Sequence, residues 1–426
     1  MTTDGLKQRI RTPSPALRRF RMSGAPLSDA MIRRRIGWIW GLLFLNVLPY
    51  STPRLIPMPT SIGKLITQGA LVIALILALS INPRGLVRPN LFLLLLTILC
   101  ITSLMLSVHG YFGLGSSIRA SRLLGMVAIL WLLTPWWGRR DLLLLRYHRR
   151  ALFVVLVIVV LGIAIAPGAA FSQGGGGRLG GIIWPVPPTQ VAEYAAVLGG
   201  TTIVLWFSGL VRTRGAVVVS VACIVILLLT HTRTALIGFL LGVLVAGLSL
   251  FLTRARVRKA IAITLIVGSL LALSFAPVLS SWFLRGQSSQ DLSSFTGRAQ
   301  VWSELVAAPR NEVNTIFGYG LSNDSFNGLP IDSSWYSTYL DQGLVGDVID
   351  GALLLLLAII ALTSSRGSRR AIALFLVTYC FIASFTETGL GQASPYLLDL
   401  AVAMAVLMTP AVGGPVDGSP IELPPV

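Results

Sequence analysis

The sequence predicts an all-α fold, a polytopic transmembrane helical bundle of about twelve spans with a short-helix extracytoplasmic subdomain. Three observations predict it. Hydrophobic residues fill 54% of the 426 positions and charged residues only 12%, too little polar surface to solvate a globular chain. Apolar runs recur along almost the whole length, near the roughly 20 residues a helix needs to cross a hydrocarbon core of about 30 Å. The basic residues fall in short clusters on alternate loops between those runs, the pattern that orients membrane helices with their positive loops in the cytoplasm.

Taken in order, residues 1–35 carry Lys7, Arg9, Arg11, Arg18, Arg19, Arg21, Arg33, Arg34 and Arg35, broken by Pro13, Pro15 and Gly24. This composition predicts a disordered basic cytoplasmic arm. The apolar run after it has no small-residue cleavage site followed by a soluble domain, so it reads as a retained first span. Residues 36–278 hold spans 1–9, at 36–51, 65–82, 90–108, 120–137, 151–168, 190–209, 216–231, 235–252 and 260–278. Residues 279–342 form a large extracytoplasmic loop, and 343–411 hold spans 10–12 at 343–363, 371–388 and 394–411. Residues 412–426 read as a disordered cytoplasmic tail.

Twelve crossings return both termini to the cytoplasm of a multi-pass plasma-membrane protein. This choice places Arg84 and Arg88, Arg139 to Arg150, Arg212 and Arg214, Arg254 to Lys259, and Arg366 to Arg370 all on that one side. The tightest turn is His231-Thr232-Arg233-Thr234, and the later basic loops fix its reading. Two loops on the other side are long. One, 169–189, contains Gly174 to Gly177 and Trp184-Pro185-Val186-Pro187-Pro188; the other, 279–342, predicts two or three short helices over the bundle.

Several function classes fall away. The net charge of +18 would suggest nucleic acid in a soluble protein, but here it is spent on orientation. Cys100, Cys223 and Cys380 each lie inside an apolar run and read as small core residues. No HExxH, DxD or Cys/His ligand spacing is present, so neither a metal nor another cofactor is expected.

The informative residues are the arginines on the side that orientation leaves poor in positive charge: Arg119, Arg122, Arg178, Arg233, Arg285 and Arg298. A guanidinium is a planar, permanent cation that can hold phosphate oxygens in a two-pronged fork, so two or three of them could bind a diphosphate without a metal. Singly, each could instead snorkel to the interface. Acids here are few: Asp291, Glu304, Glu312, Asp324, Asp332, Asp341 and Asp347 in or beside the large loop, with Glu193 and Glu387 near span ends. A carboxylate there could take a proton from a hydroxyl nucleophile.

The order of Arg178-Leu-Gly-Gly before a Pro-rich turn, Thr232-Arg233-Thr234 opening a span, Thr296-Gly297-Arg298 with Trp302, and Gly318-Tyr319-Gly320 through Phe326 resembles the O-antigen ligase and polymerase superfamily. The close of the loop, Asp332-Ser333-Ser334-Trp335 to Tyr339-Leu340-Asp341-Gln342-Gly343-Leu344-Val345-Gly346, resembles it too, so the likeness covers roughly residues 170–350. It implies a metal-independent, inverting, membrane-embedded glycosyltransferase with a polyprenyl-diphosphate-linked glycan donor and a glycan or glycolipid acceptor. By the same resemblance Arg178 and Arg233 bind the diphosphate and Arg298 orders the loop or reaches the donor; Arg119 or Arg122, on the same side, are expected to support the diphosphate. Ligases of the family commonly place a His in the closing segment as the base. This sequence has Asp332-Ser333-Ser334 there, so the base role passes to Asp332, which partial desolvation under the loop would strengthen, unless this is a polymerase-like branch that handles its acceptor differently.

The alternative is a twelve-span transporter or flippase of lipid-linked glycans, which would tend toward two similar halves and polar midplane spans. Here the spans read as almost uniformly apolar and polar residues gather at their ends.

Overall fold

The computed structural model describes residues 28–49, 55, 59–109, 112–172, 177–284 and 297–409. Most of the basic arm, the tail, Gly174 to Gly176, Arg285, Asp291 and Thr296 lie outside the described residues. The chain is helical, in the order α1 (Asp29–Val47), α2 (Thr60–Ile81), α3 (Leu91–His109), α4 (Gly113–Leu133), α5 (Leu143–Ile165), α6 (Pro167–Ala170), α7 (Pro188–Phe207), α8 (Thr213–Leu229), α9 (Arg233–Phe251), α10 (Ala255–Ser274) and α11 (Ala276–Leu284). There follow α12 (Arg298–Ala307), α13 (Glu312–Phe317), a two-stranded hairpin of β1 (Ser325–Phe326) and β2 (Leu329–Pro330), α14 (Ser334–Thr363), α15 (Ser368–Ala383) and α16 (Pro395–Leu407).

A helix overlaps each of the twelve expected spans. Among the described residues six, α2, α3, α4, α5, α9 and α14, are long and apolar enough to cross a membrane, while α8 and α16 are apolar but shorter. This is the make-up of an integral membrane protein. Leucine, isoleucine and valine point outward along α2, α3 and α8, as at Leu65, Ile76, Leu94 and Val218. In a bilayer such side chains meet lipid, so their exposure carries no penalty.

Two ends of the bundle differ in chemistry. At one, Arg88 donates to the carbonyls of Trp137 and Thr409, Arg369 to those of Met408, Gly138 and Arg139, and Arg139 pairs with Asp29. The basic loops thus cap helix C-termini, where carbonyls are left without intrahelical partners. The opposite end gathers the stretches 166–172 and 177–187, the α12–α13 segment and the turn 384–394.

Helix α15 is central, packing against α9, α7 and α16. With lipid rather than water outside, close approach through small residues holds such helices together. Phe375 of α15 fits between Gly200 of α7 and Gly242 of α9, so closely that a Cβ at Gly200 would lie 2.0 Å from its ring. Tyr379 occupies the equivalent place against Gly238 one turn away.

The spans are less uniformly apolar than their sequence reads. His148 on α5 donates from Nε2 to Asp399 on α16 at 2.7 Å and accepts from Trp40 at 3.3 Å, with all three residues buried. Arg149 reaches the Thr202 hydroxyl at 3.0 Å. The three cysteines are free and buried.

The expected tenth span also begins earlier, at Ser334. Polar residues 334–342, which read as loop, are helical because their side chains are bonded inside the protein: Thr338 to Asp350 at 2.9 Å, Gln342 to Ser103 at 2.8 Å. Gly343, at φ +63, breaks the helix where its Cα faces Ile316 so tightly that a Cβ would lie 2.5 Å from that backbone.

A Gly200→Val substitution should therefore overpack the α7–α15 contact and cost about 1–3 kcal/mol. Thermal unfolding in detergent should show a clear drop in Tm, and an unchanged Tm would mean Phe375 has room to move.

Candidate active site

At the end of the bundle opposite the basic loops, four segments distant in sequence meet. The first carries Arg178, on the irregular stretch between α6 and α7. Its neighbours are pinned by backbone hydrogen bonds: Leu179 to Leu229, Gly180 to Ala170 and Gly181 to Val186, at 2.8 to 3.0 Å. A Cβ at Gly181 would lie 2.5 Å from the Trp184 carbonyl, which explains why Arg178-Leu-Gly-Gly precedes the Pro-rich turn. Held there, Arg178 donates from Nε to the Thr230 carbonyl at 3.0 Å and from Nη2 to the Thr232 hydroxyl at 3.1 Å. Burial lowers the pKa of its guanidinium from the ordinary value, but the group remains a cation.

The second segment is the start of α9. Thr232 is its N-cap and Arg233 its first residue, so Arg178 reaches the end of a helix whose first amides lack intrahelical acceptors. Backbone N–H groups, the positive end of the helix dipole and two arginines make this corner attractive to an anion. His231, at φ +50, stacks on Trp282 with ring centroids 5.6 Å apart.

The third segment is the loop before α14. Arg298, in the first turn of α12, donates to Asp332 Oδ2 from Nε at 3.0 Å and Nη2 at 2.9 Å. The pair is fixed by a small apolar cluster of Leu305, Ile331 and Leu340, over which Trp302 stacks on Tyr336 at 4.9 Å and bonds the Ile331 carbonyl at 2.7 Å. Asp332 takes φ +45, in the left-handed region that costs a non-glycine residue strain. Its side chain is 37% exposed, so it is partly shielded from solvent. Nearby, Asp324 is partly buried and accepts from Ser337 and Gln392; desolvation raises its pKa despite those bonds.

The fourth segment, the turn between α15 and α16, supplies a residue that the sequence offers only as one of several acids near span ends. Glu387 has its carbonyl bonded by the Ser334 hydroxyl at 2.8 Å and its amide by the Ala383 carbonyl at 2.9 Å. Its neighbour Thr386 donates to the Thr234 hydroxyl of α9 at 2.7 Å. The Glu387 carboxylate takes a hydrogen bond from Thr189 at the start of α7 and senses the charges of Arg298, Asp332 and Arg178. Burial, the largest cause, pushes its pKa up to about 7. The available sequence signal was Thr386-Glu387-Thr388, a polar triplet between apolar runs at the end where acids are scarce.

The other two expected arginines serve this end as struts. Arg119 donates twice to the Leu321 carbonyl, at 3.1 and 3.2 Å, and Arg122 bonds Asn46 and the Ala393 carbonyl. The structure thus brings Arg178, Arg298, Asp332 and Glu387 together beside Arg233, and uses Arg119 and Arg122 to hold the surrounding loops. Gly318-Tyr319-Gly320 is likewise a packing device: Tyr319 and Gly320 donate to the carbonyls of Leu340 and Asp341, and Gly318, at φ +81, leaves no space for a Cβ. Among the described residues no group of three His, Cys, Asp or Glu side chains is placed to share a metal ion.

Residues 218–345 match the family model described as O-antigen ligase. The match runs from within α8 into α14 and contains Arg233, Arg298 and Asp332, while Arg178 and Glu387 lie outside it. No curated protein matches the chain.

The elevated pKa of Glu387 has a consequence for stability. Between its ordinary value of 4.5 and about 7, the folded chain keeps a proton that the unfolded chain has released. Stability therefore falls as pH rises through that window. Between about pH 5 and 7.5 the wild-type Tm should decline relative to that of E387Q. Parallel curves would show that the carboxyl titrates as it does in water.

Proposed function

We propose, from the premise that residues 218–345 place the chain in the O-antigen ligase and polymerase superfamily, that it is a metal-independent inverting glycosyltransferase of cell-surface polysaccharide assembly. It transfers a glycan from a polyprenyl diphosphate to an acceptor hydroxyl on a glycan or glycolipid. The reading includes a twelve-span topology in the plasma membrane, both termini cytoplasmic, and the site on the extracytoplasmic face.

The observation that carries it is the meeting of Arg178 with the N-terminus of α9, next to Arg233. Arg178, Arg233 and the N-terminal amides of α9 would hold a diphosphate and stabilise the negative charge that grows on it as the glycosidic bond breaks. Arg298 and its partner Asp332 order the loop over the donor, and Arg119 and Arg122 support the walls. The acceptor enters beneath the 279–342 loop, and its hydroxyl gives its proton to a carboxylate of the Asp332 and Glu387 pair.

An apolar groove of about 220 Å³ between α5, α7 and α8, lined among others by Phe153, Val160, Leu198, Val219 and Ile226, supports a lipid donor. Ile226 lies about one turn before Thr230, the residue Arg178 bonds, so an isoprenoid tail in the groove would leave its diphosphate at the arginines. The carrier alternative gains nothing from the match at 218–345.

Lipid-linked glycans extracted from cells lacking the gene and sized by mass spectrometry test the reading. Single repeat units accumulating on the lipid would mark a polymerase, long chains a ligase, and no accumulation at the outer face would refute the transferase. In complemented cells Arg233→Lys should reduce transfer by about 10²-fold, because an ammonium cannot reproduce the guanidinium fork; near-normal transfer would remove Arg233 from the diphosphate site.

A further inference from the structure

We infer that Glu387 is the catalytic base that accepts the proton of the attacking hydroxyl, and that Asp332 is a positioning residue for Arg298. The inference rests on the transferase reading above and assigns a residue that lies beyond the segment matched to the family.

The first support is placement. Glu387 stands where all four segments of the site join: its carbonyl is bonded by Ser334, two residues after Asp332; its neighbour Thr386 is bonded to Thr234, one residue after Arg233; its own carboxylate is bonded by Thr189, just beyond the Pro-rich turn that follows Arg178. A base must stay within hydrogen-bond reach of the proton it removes. With its peptide held on both sides, this carboxylate is fixed at the junction of the anion corner and the loop.

The second support is what the rival carboxylate already does. Both donors of Arg298 converge on Asp332 Oδ2, and the side chain is 37% open to solvent. That arrangement suits a residue whose task is to aim a guanidinium. The left-handed backbone at Asp332, φ +45, serves the same end, since it fixes the point from which the carboxylate reaches both Arg298 donors.

The charged groups around Glu387 fit a proton that comes and goes. The segment before α7 offers Arg178, α7 itself Glu193, α12 Arg298, the loop before α14 Asp332, α15 Tyr379 and α16 Tyr396. Cations and carboxylates nearly balance, so the site tolerates either state of the base. Its titration near 7 leaves the carboxylate free to accept a proton at ordinary pH and able to release it afterwards.

In the step itself the acceptor oxygen attacks the anomeric carbon while its O–H bond breaks and the proton passes to Glu387. The bond from that carbon to the diphosphate oxygen breaks on the opposite face, and its electron pair leaves on the diphosphate against Arg178 and Arg233. One bond forms to carbon and one breaks, the configuration inverts, and no redox partner is required.

The test uses full-length protein in nanodiscs, with lipid-linked glycans extracted from the deletion strain as donor and deletion-strain glycolipid as acceptor. Geranylgeranyl diphosphate, followed by its effect on Tm, reports the anion corner separately. E387Q should lower transfer by about 10²-fold or more, abolish the rise in rate through pH 7 and keep the Tm shift with the diphosphate. E387D should recover part of the rate with a displaced pH profile, which a purely structural role would not produce. D332N should slow transfer yet retain the pH dependence. The assignment is overturned if E387Q keeps the wild-type pH profile, or if D332N alone erases it, in which case Asp332 is the base and the transferase reading stands. If wild-type protein transfers nothing from these donors, the transferase reading falls and this assignment with it.

Discussion

The seating of Phe375 between Gly200 and Gly242 is the contact on which the rest depends. In a membrane the hydrophobic effect does little to choose one helix arrangement over another, so register must come from shape. From this wedge the chain continues to Thr189 at the head of α7, Thr234 at the head of α9 and the end of α15, about 12 to 16 Å away at 1.5 Å per residue. Those three ends carry the hydroxyls that bond each other or Glu387. A glycine in the middle of a helix thus sets where a carboxylate stands beyond its end.

Electrostatics then divides the labour at that surface. The guanidiniums are permanent charges and are held by carbonyls, hydroxyls and one carboxylate, which fixes their direction without cancelling all of them. The carboxylates differ in partners: Asp332 pairs with a cation, Asp324 accepts from Ser337 and Gln392, and Glu387 takes a hydrogen bond from Thr189. Environment, more than residue type, distinguishes their roles.

Much of this was legible in the sequence. Hydropathy and the alternation of basic loops placed a helix at each expected span, because both follow from the thickness and polarity of the bilayer. Arg178, Arg298 and Asp332 were visible as short motifs. Residues 334–342 were misread as loop because their polarity is satisfied by partners as far away as Ser103, and pairing over such distances leaves no periodic trace. Gly318-Tyr319-Gly320 was visible as a motif, but not its backbone contact with α14. Glu387 was visible only as one acid among several. A glutamate at a span end is ordinary until the fold sets it against arginines about 90 and 210 residues earlier.

That separation bears on how the protein is made. Arg178 and Arg233 leave the ribosome long before the α15–α16 hairpin, and domains that draw on both halves of a chain cannot close until the last piece arrives. During that interval the cations at the head of α9 lack their acidic counterpart, and the glycine faces of α7 and α9 lack Phe375. Arrival of the final hairpin fills both gaps at once. Arrival of the last two helices is therefore the event that completes the cluster at that end, and a chain truncated before Ser368 would keep the Arg178 contact with the head of α9 but lack both Glu387 and the Phe375 wedge.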